Sequence, residues 1–362
     1  MTKTGKKPGG VEFRSVSRRY GKVTAVDSIS FQVEPGTLVT LLGPSGCGKT
    51  TTLRMIAGLE AASEGTILIG GRDVTLLPAT DRDVTMVFQS YALFPHMNVL
   101  DNVAFGLEVS GVSRAQREQQ AREGLAMVGL DGYEMRLPSE LSGGQQQRVA
   151  VARALVLEPE VLLFDEPLSN LDAKLRRKMR DDIRELQLKL GLTSVYVTHD
   201  QEEALAVSDK IIVMNKAVIA QEGTPVDLYR RPVSRFVADF MGISNLLDGR
   251  LEARRDGRAR VVFGEAVLDL ADPPLKDDEI TVAVRPQAIR VRTEGGPASL
   301  PVRVRKATYL GSHLEYVLDS SVGELFAVDP DPHEAVAGGA TAFAHFREEG
   351  VALVPRTGAT AA

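Results

Sequence analysis

Eight residues, Gly43-Pro44-Ser45-Gly46-Cys47-Gly48-Lys49-Thr50, have the spacing G-x-x-x-x-G-K-[ST] of a phosphate cradle. Glycines let successive backbone N–H groups turn inward onto phosphate oxygens, and the N-terminus of a following helix adds a favourable dipole. Lys49 offers a point charge to β- and γ-phosphates and Thr50 a hydroxyl ligand for Mg2+, with Thr51 completing the nucleotide-binding set. The flanks suit the motif: an apolar run, Leu38 to Leu42, precedes it, and helical spacing at Leu53, Ile56 and Ala57 follows. A glycine-rich turn with a surface lysine is the plain alternative. Asp165 and Glu166 follow a second apolar run, Val161 to Phe164. A carboxylate at the end of a buried strand beside a phosphate loop can hold Mg2+ through its water shell, and the next carboxylate can act as general base for an attacking water. Two acids at a strand end are also ordinary surface charge in many chains. His199 sits just past a third apolar run, Ser194 to Thr198, where a histidine can equally be structural.

Leu141-Ser142-Gly143-Gly144-Gln145 opens another predicted helix and offers a second phosphate-binding surface from a hydroxyl and helix N-terminal amides. One nucleotide cannot easily touch both surfaces of one subunit, but it fits between the loop of one subunit and the Leu-Ser-Gly-Gly-Gln of another. Followed by Gln-Gln-Arg-Val-Ala-Val-Ala-Arg-Ala-Leu, this segment is highly specific, and over residues 11 to 355 the chain resembles the ATP-binding-cassette ATPases. The resemblance implies ATP as substrate, Mg2+ as cofactor and roles for further residues. Gln89, in Val87-Phe88-Gln89-Ser90, matches the Q-loop glutamine that reaches Mg2+ and water. Tyr20 matches the aromatic that stacks on adenine, although Arg18-Arg19-Tyr20-Gly21-Lys22 also reads as a plain turn. His199 matches the switch histidine on the γ-phosphate. Ser142, Gly143, Gly144 and Gln145 match the contact to the other subunit's nucleotide, and Asp172, in Ser169-Asn170-Leu171-Asp172, the D-loop. The set is complete, so an active ATPase is expected, and one cassette per chain implies a homodimer or a closely related partner chain.

The elements that must position these residues read as an α/β fold: a P-loop NTPase core of the cassette type, then a small all-β OB-like domain. The nucleotide-binding domain is expected over 11–240, with an inserted helical subdomain at about 90–150 in which Ser113 caps a helix to Val128. Leu175, Met179, Ile183, Leu186 and Leu190 make the apolar stripe of a helix from Ala173 to Leu190, read as core packing. Over 245–355 short β-like runs alternate with Gly, Pro and Asp, and Ala283-Val284-Arg285-Pro286-Gln287 and Tyr309-Leu310-Gly311 resemble the transport-associated OB-like (TOBE) domain of importer ATPases. The Lys- and Gly-rich first ten residues are expected to fray.

Bulk properties narrow the function. At 362 residues and 43% hydrophobic content the chain can bury two cores. A net charge of −5, and 13 Lys and Arg against 18 Asp and Glu in residues 245–355, argue against a nucleic-acid partner. Cys47 is the only cysteine, which suits a reducing compartment. No signal peptide is read at the N-terminus, and no run approaches the roughly 18 to 20 apolar residues of a membrane helix. A peripheral protein on the cytoplasmic face of the inner membrane is expected, with two permease subunits crossing the membrane and, indirectly, a solute-binding protein. Exporters usually carry their membrane helices on the same chain. Here Phe88 to Met97 resembles importers for polyamines, ferric iron and sugars. Polyamine (spermidine or putrescine) or ferric iron ranks first as solute, with sugars and other small solutes behind. A soluble ATPase acting on nucleic acid or ribosomes is the rival class, but such proteins typically carry two cassettes or a long coiled-coil insert. Cys47, read as a small residue tolerated in the loop, gives a test: alkylation is expected to block ATP binding, with protection by Mg-ATP. Full activity after stoichiometric labelling would place Cys47 away from the nucleotide.

Overall fold

The computed structural model describes residues 9–271, 275, 278–330 and 335–356; most of the segment expected to fray, and the Ala/Thr-rich tail, lie outside them. The chain divides into two compact units, Met1–Pro225 and Val226–Ala362.

The first unit opens with β1 (Val11–Tyr20) and β2 (Val23–Val33), an antiparallel pair, then β3 (Leu38–Leu42), α1 (Lys49–Ala57), β4 (Glu64–Ile69), the two-residue β5 (Arg72–Asp73) and β6 (Val84–Val87). Three helices follow: α2 (Val99–Val109), α3 (Arg114–Met127) and α4 (Gly143–Leu155). The core returns with β7 (Val161–Asp165), α5 (Ala173–Leu190), β8 (Thr193–Thr198), α6 (Gln201–Val207), β9 (Lys210–Asn215) and β10 (Val218–Gly223). Two sheets result, a four-stranded antiparallel one in the order β2-β1-β4-β5 and a six-stranded one in the order β10-β9-β3-β8-β7-β6. In the second, all neighbours are parallel except β10. Every residue of β3 and β8 is buried, as a parallel strand covered on both faces requires.

Local chemistry ends the helices where the sequence leads one to expect. Gly58, at φ 73°, closes α1 in the left-handed conformation that glycine adopts without steric cost. Along α5, Met179 and Ile183 are buried and Leu175, Leu186 and Leu190 are partly buried against the same cluster, so the stripe is core. Ser113 precedes α3, but its hydroxyl bonds the Gln116 side chain at 2.7 Å and makes no backbone cap. Helix α2 gives a weaker signal in sequence. Asn98 caps it by accepting from Asp101 N, and the buried Asn102 side chain ties down the preceding turn through Phe94, Met97 and Asn98.

The second unit begins in α7 (Pro225–Arg230) and continues through α8 (Arg235–Phe240). Strands β11 (Asn245–Arg255), β12 (Arg258–Phe263), β13 (Ala266–Ala271) and β14 (Glu279–Val284) are followed by β15 (Ile289–Arg292), β16 (Ser299–Tyr309) and β17 (Leu314–Ser320). The last three are β18 (Gly323–Asp329), β19 (Thr341–Phe346) and β20 (Val351–Pro355). They form two five-stranded antiparallel sheets, β13-β12-β11-β14-β20 and β15-β19-β16-β17-β18, around one apolar core that includes Val261, Phe263, Val302, Tyr316 and Leu325. Asn245 stitches the sheets together, donating to Val284 O and Phe326 O and accepting from Phe326 N. Ala238 of α8 packs with Ala283 and Val354, which explains why that helix belongs with the β unit. Among the described residues, no helix is long and apolar enough to cross a membrane.

Arg285 is the main polar fastening of this unit. It is 5% exposed, and its guanidinium donates to the carbonyls of Ala238, Gly242 and Tyr229 and to Ser244 Oγ while stacking on the Tyr229 ring at 4.1 Å. Burial pushes its pKa down. Truncation would orphan several buried carbonyls, so Arg285→Ala is expected to cost about 3 kcal/mol. The expected readout is an earlier unfolding transition of the second unit in denaturant, with nucleotide binding intact at low denaturant. An unchanged midpoint would refute the fastening role.

Candidate nucleotide site

Strand register assembles the site. Leu42 of β3 pairs with Thr198 of β8, Asp165 of β7 with Val197 of β8, and Val87 of β6 with Phe164 of β7. All four strands run parallel, so the segments that leave them, beginning at Gly43, His199, Glu166 and Phe88, emerge at one edge of the sheet. In open α/β sheets that edge is where ligands bind.

Within the loop from β3 to α1, Ser45 and Gly46 are exposed, Pro44, Gly48, Thr50 and Thr51 are half-buried, and Gly43, Cys47 and Lys49 are buried. Gly48, at φ 106°, is required twice over: its conformation is left-handed, and a Cβ there would meet Ala25 O at 2.5 Å. That approach also brings the loop against β2, three residues from the β1–β2 turn carrying Tyr20. The Lys49 ammonium donates to Gly43 O at 2.7 Å and Pro44 O at 3.0 Å, so the loop bends around its own lysine. Cys47 Sγ lies 3.8 Å from the same nitrogen, and its burial predicts slow alkylation. Asp165 faces this cluster: burial raises its carboxyl pKa, Arg54 and Lys49 oppose the rise, and Glu166 adds to it. A half-desolvated carboxylate facing a glycine-turned loop wrapped around a buried ammonium is the donor set that an Mg2+–phosphate group fits. Among the described residues, no group of three His, Cys, Asp or Glu could hold a metal without such help.

Glu166 turns the chain sharply at φ 44°, donating its N–H to Val197 O at 3.0 Å. Its carboxylate meets His199 Nδ1 at 3.1 Å. The Glu166 carbonyl accepts from Ser169 N and Ser169 Oγ, Gln89 Nε2 reaches Ser169 Oγ at 3.2 Å, and Asn170 Nδ2 returns to Gln89 O at 2.9 Å. Gln89, Glu166 and His199 therefore share one hydrogen-bonded chain. Tyr91 and Ala92 next to it are both left-handed, at φ 61° and 48°, a strain of about 1–3 kcal/mol each. Arg153 of α4 holds them by donating to both carbonyls, at 2.8 and 2.7 Å. Nothing local in the sequence marks Arg153 for this role.

Ser142 caps α4 in a reciprocal box with Gln145: Ser142 N donates to Gln145 Oε1 at 2.9 Å, and Ser142 Oγ accepts from Gln145 N at 3.4 Å. Added Cβ atoms would meet Leu171 at 3.2 Å from Gly143 and Leu175 at 2.9 Å from Gly144. The two glycines thus let α4 seat against the start of α5, where Asp172 caps the helix by accepting from Leu175 N at 3.0 Å. Among the described residues, no hydrogen bond joins Ser142–Gln145 to residues 43–51 of the same chain. Tyr20 is 43% exposed, with the Arg18 guanidinium over its ring at 4.4 Å.

A family model described as ABC transporter matches residues 26–169, and one described as TOBE domain matches residues 282–354. The chain is 55% identical over 348 residues to the Fe(3+) ions import ATP-binding protein FbpC of Agrobacterium fabrum, spanning 96% of this chain and 98% of that protein. A relative in Rhizobium meliloti, Fe(3+) ions import ATP-binding protein FbpC 1, is 55% identical over 347 residues, again 96% of this chain and 98% of the other. The ATP-binding cassette MJ0796, solved as a dimer in a post-hydrolysis state with ADP and Pi, superposes at TM-score 0.53 and 31% identity over 59% of this chain and 98% of its own. Motif order, strand-edge geometry and full-length likeness agree: the chain belongs to the ATP-binding-cassette transporter family, as an importer-type ATPase with a C-terminal TOBE domain.

Proposed function

We propose that this chain is the ATP-hydrolysing subunit of a ferric iron importer. It works at the cytoplasmic face of the inner membrane as a head-to-tail dimer with a second copy, on two permease subunits fed by a solute-binding protein. The observation that carries the ATPase reading is the convergence of Lys49, Asp165, Glu166, His199 and the Gln89 loop on one sheet edge. Ferric iron takes precedence over polyamine because the relatives at 55% identity are named for Fe(3+) import. In this reading the nucleotide-binding domain, expected over 11–240, ends with the first unit at Pro225 because α8 packs with the β unit; its helical subdomain spans about 90–150, and residues 245–355 are the TOBE domain.

In the proposed site, amides of residues 43–51 and the Lys49 ammonium take the β- and γ-phosphates, exchanging the Gly43 and Pro44 carbonyls for phosphate oxygens. Tyr20 stacks on the adenine. Thr50, Asp165 and Gln89 would hold Mg2+, which supplies charge neutralisation at the phosphates when bound. Glu166 accepts the proton of the attacking water, oriented by its contact to His199, and His199 reaches the γ-phosphate. Ser142, Gly143, Gly144 and Gln145 of the second copy close the other side of the nucleotide. Asp172, a helix cap in the single chain, places the adjoining loop between the two sites.

Lys49→Ala is expected to lower kcat/KM for ATP by about 10³-fold. Glu166→Gln is expected to keep ATP binding, lose hydrolysis and elute as a dimer with ATP on size exclusion. A variant that stays monomeric would count against the dimer scheme. Cells lacking the chain should regain uptake of radiolabelled ferric iron with the wild type but not with Glu166→Gln. Restored polyamine uptake, with iron uptake unchanged, would replace the cargo.

A further inference from the structure

Arg176 of α5 lies outside every motif, yet its guanidinium touches two loops of the proposed site. Nη2 donates to Leu171 O at 3.0 Å, Nη1 meets Asp200 Oδ2 at 3.5 Å, and Nε faces Glu203 Oε1 at 3.7 Å. Leu171 adjoins Asp172, and Asp200 adjoins His199. Glu203 of α6 is 4% exposed, and its other oxygen accepts from Tyr196 Oη at 3.1 Å and Thr198 Oγ1 at 2.9 Å. Asp200 N donates to that same Thr198 hydroxyl at 3.0 Å, and Asp200 Oδ1 accepts from Glu203 N at 3.1 Å. Both chain neighbours of His199 are thereby pinned, and the guanidinium that completes the pinning also holds the residue before Asp172.

We propose that Arg176, with Glu203, is a positioning unit that locks the His199–Glu166 pair to the Leu171–Asp172 loop, so that arrival of the second copy at that loop sets the hydrolytic pair. This rests on the ATPase reading above and adds the residues that transmit it. Arg176 touches no nucleotide and acts only through His199. Nε lies beyond hydrogen-bonding range of Glu203, so a shift of under an ångström in the Asp172 loop would make or lengthen that contact. Such a shift moves the backbone on either side of His199.

The test is steady-state ATP hydrolysis by the full chain, compared across Arg176→Ala, His199→Ala and the double variant. Arg176→Ala is expected to lower kcat about tenfold while changing KM for ATP less than about twofold, because residues 43–51 are untouched. In the His199→Ala background the same substitution is expected to change kcat less than about twofold. Glu203→Gln, which keeps the shape and the hydroxyl partners, serves if Arg176→Ala does not fold, and is expected to move kcat the same way by a smaller factor. Independent, multiplying losses from Arg176 and His199, or a rise in KM with kcat unchanged, would overturn the proposal. A wild-type chain without ATP hydrolysis would instead overturn the underlying reading, so the two failures are distinguishable.

Discussion

The parallel register of β3, β8, β7 and β6 is the constraint on which everything else depends. Leu42, Thr198, Asp165 and Val87 lie at the ends of hydrogen-bonded neighbours, so four loops far apart in sequence open at one edge. A one-residue slip of any strand would exchange the side chains presented to its two faces and carry its loop away with it. The complete burial of β3 and β8 fixes that register through packing. The chemistry is therefore held by apolar contacts that do not react. Lys49 at the start of α1, Asp165 at the end of β7, and Glu166 and His199 in the loops beyond keep their places because the strands beneath them cannot slide.

Above that platform the loops hold one another. Arg153 carries the Tyr91–Ala92 turn, Ser169 and Asn170 carry Gln89, and Gly143 and Gly144 let α4 settle onto Leu171 and Leu175. A displacement at any one of these segments is transmitted by contact to the next. Such an arrangement suits a motor better than a rigid hydrolase, because Glu166, the proposed base, and the segments proposed to meet other chains share partners. In this account the second unit, fastened by Arg285 and Asn245, is a separately built module with no part in the phosphate chemistry.

Much of this was legible in the sequence, for identifiable reasons. Leu38–Leu42, Val161–Phe164 and Ser194–Thr198 are short apolar runs each followed at once by a residue proposed for the site, Gly43, Asp165 and His199, so strand and site announce each other. The stripe on α5 and the box at Ser142 are local signals, and local signals survive folding. Gln89 and Tyr20 came only from resemblance, since a lone glutamine or an exposed tyrosine has no diagnostic spacing. Helix α2 was not read, because its cap at Asn98 and its buried Asn102 serve a tertiary turn. The roles of Arg153, Arg176, Glu203 and Arg285 were not legible for the same reason: each depends on partners that only the tertiary fold assembles, even where, as with Arg285, the residue lies in a run that carried the resemblance. Ser113 shows the converse, a residue with the right type for a cap whose hydroxyl is bonded to a side chain instead.

The central claim is that the nucleotide site is shared, with the 43–51 loop of one copy facing the Ser142–Gln145 segment of another. The most direct measurement mixes two inactive variants, Lys49→Ala and Ser142→Arg, and follows ATP hydrolysis. In a head-to-tail dimer each mixed pair contains one site with both surfaces intact, so an equimolar mixture should recover roughly a quarter of wild-type activity. Activity no greater than the sum of the two variants alone would contradict a shared site and place the whole reaction within a single chain.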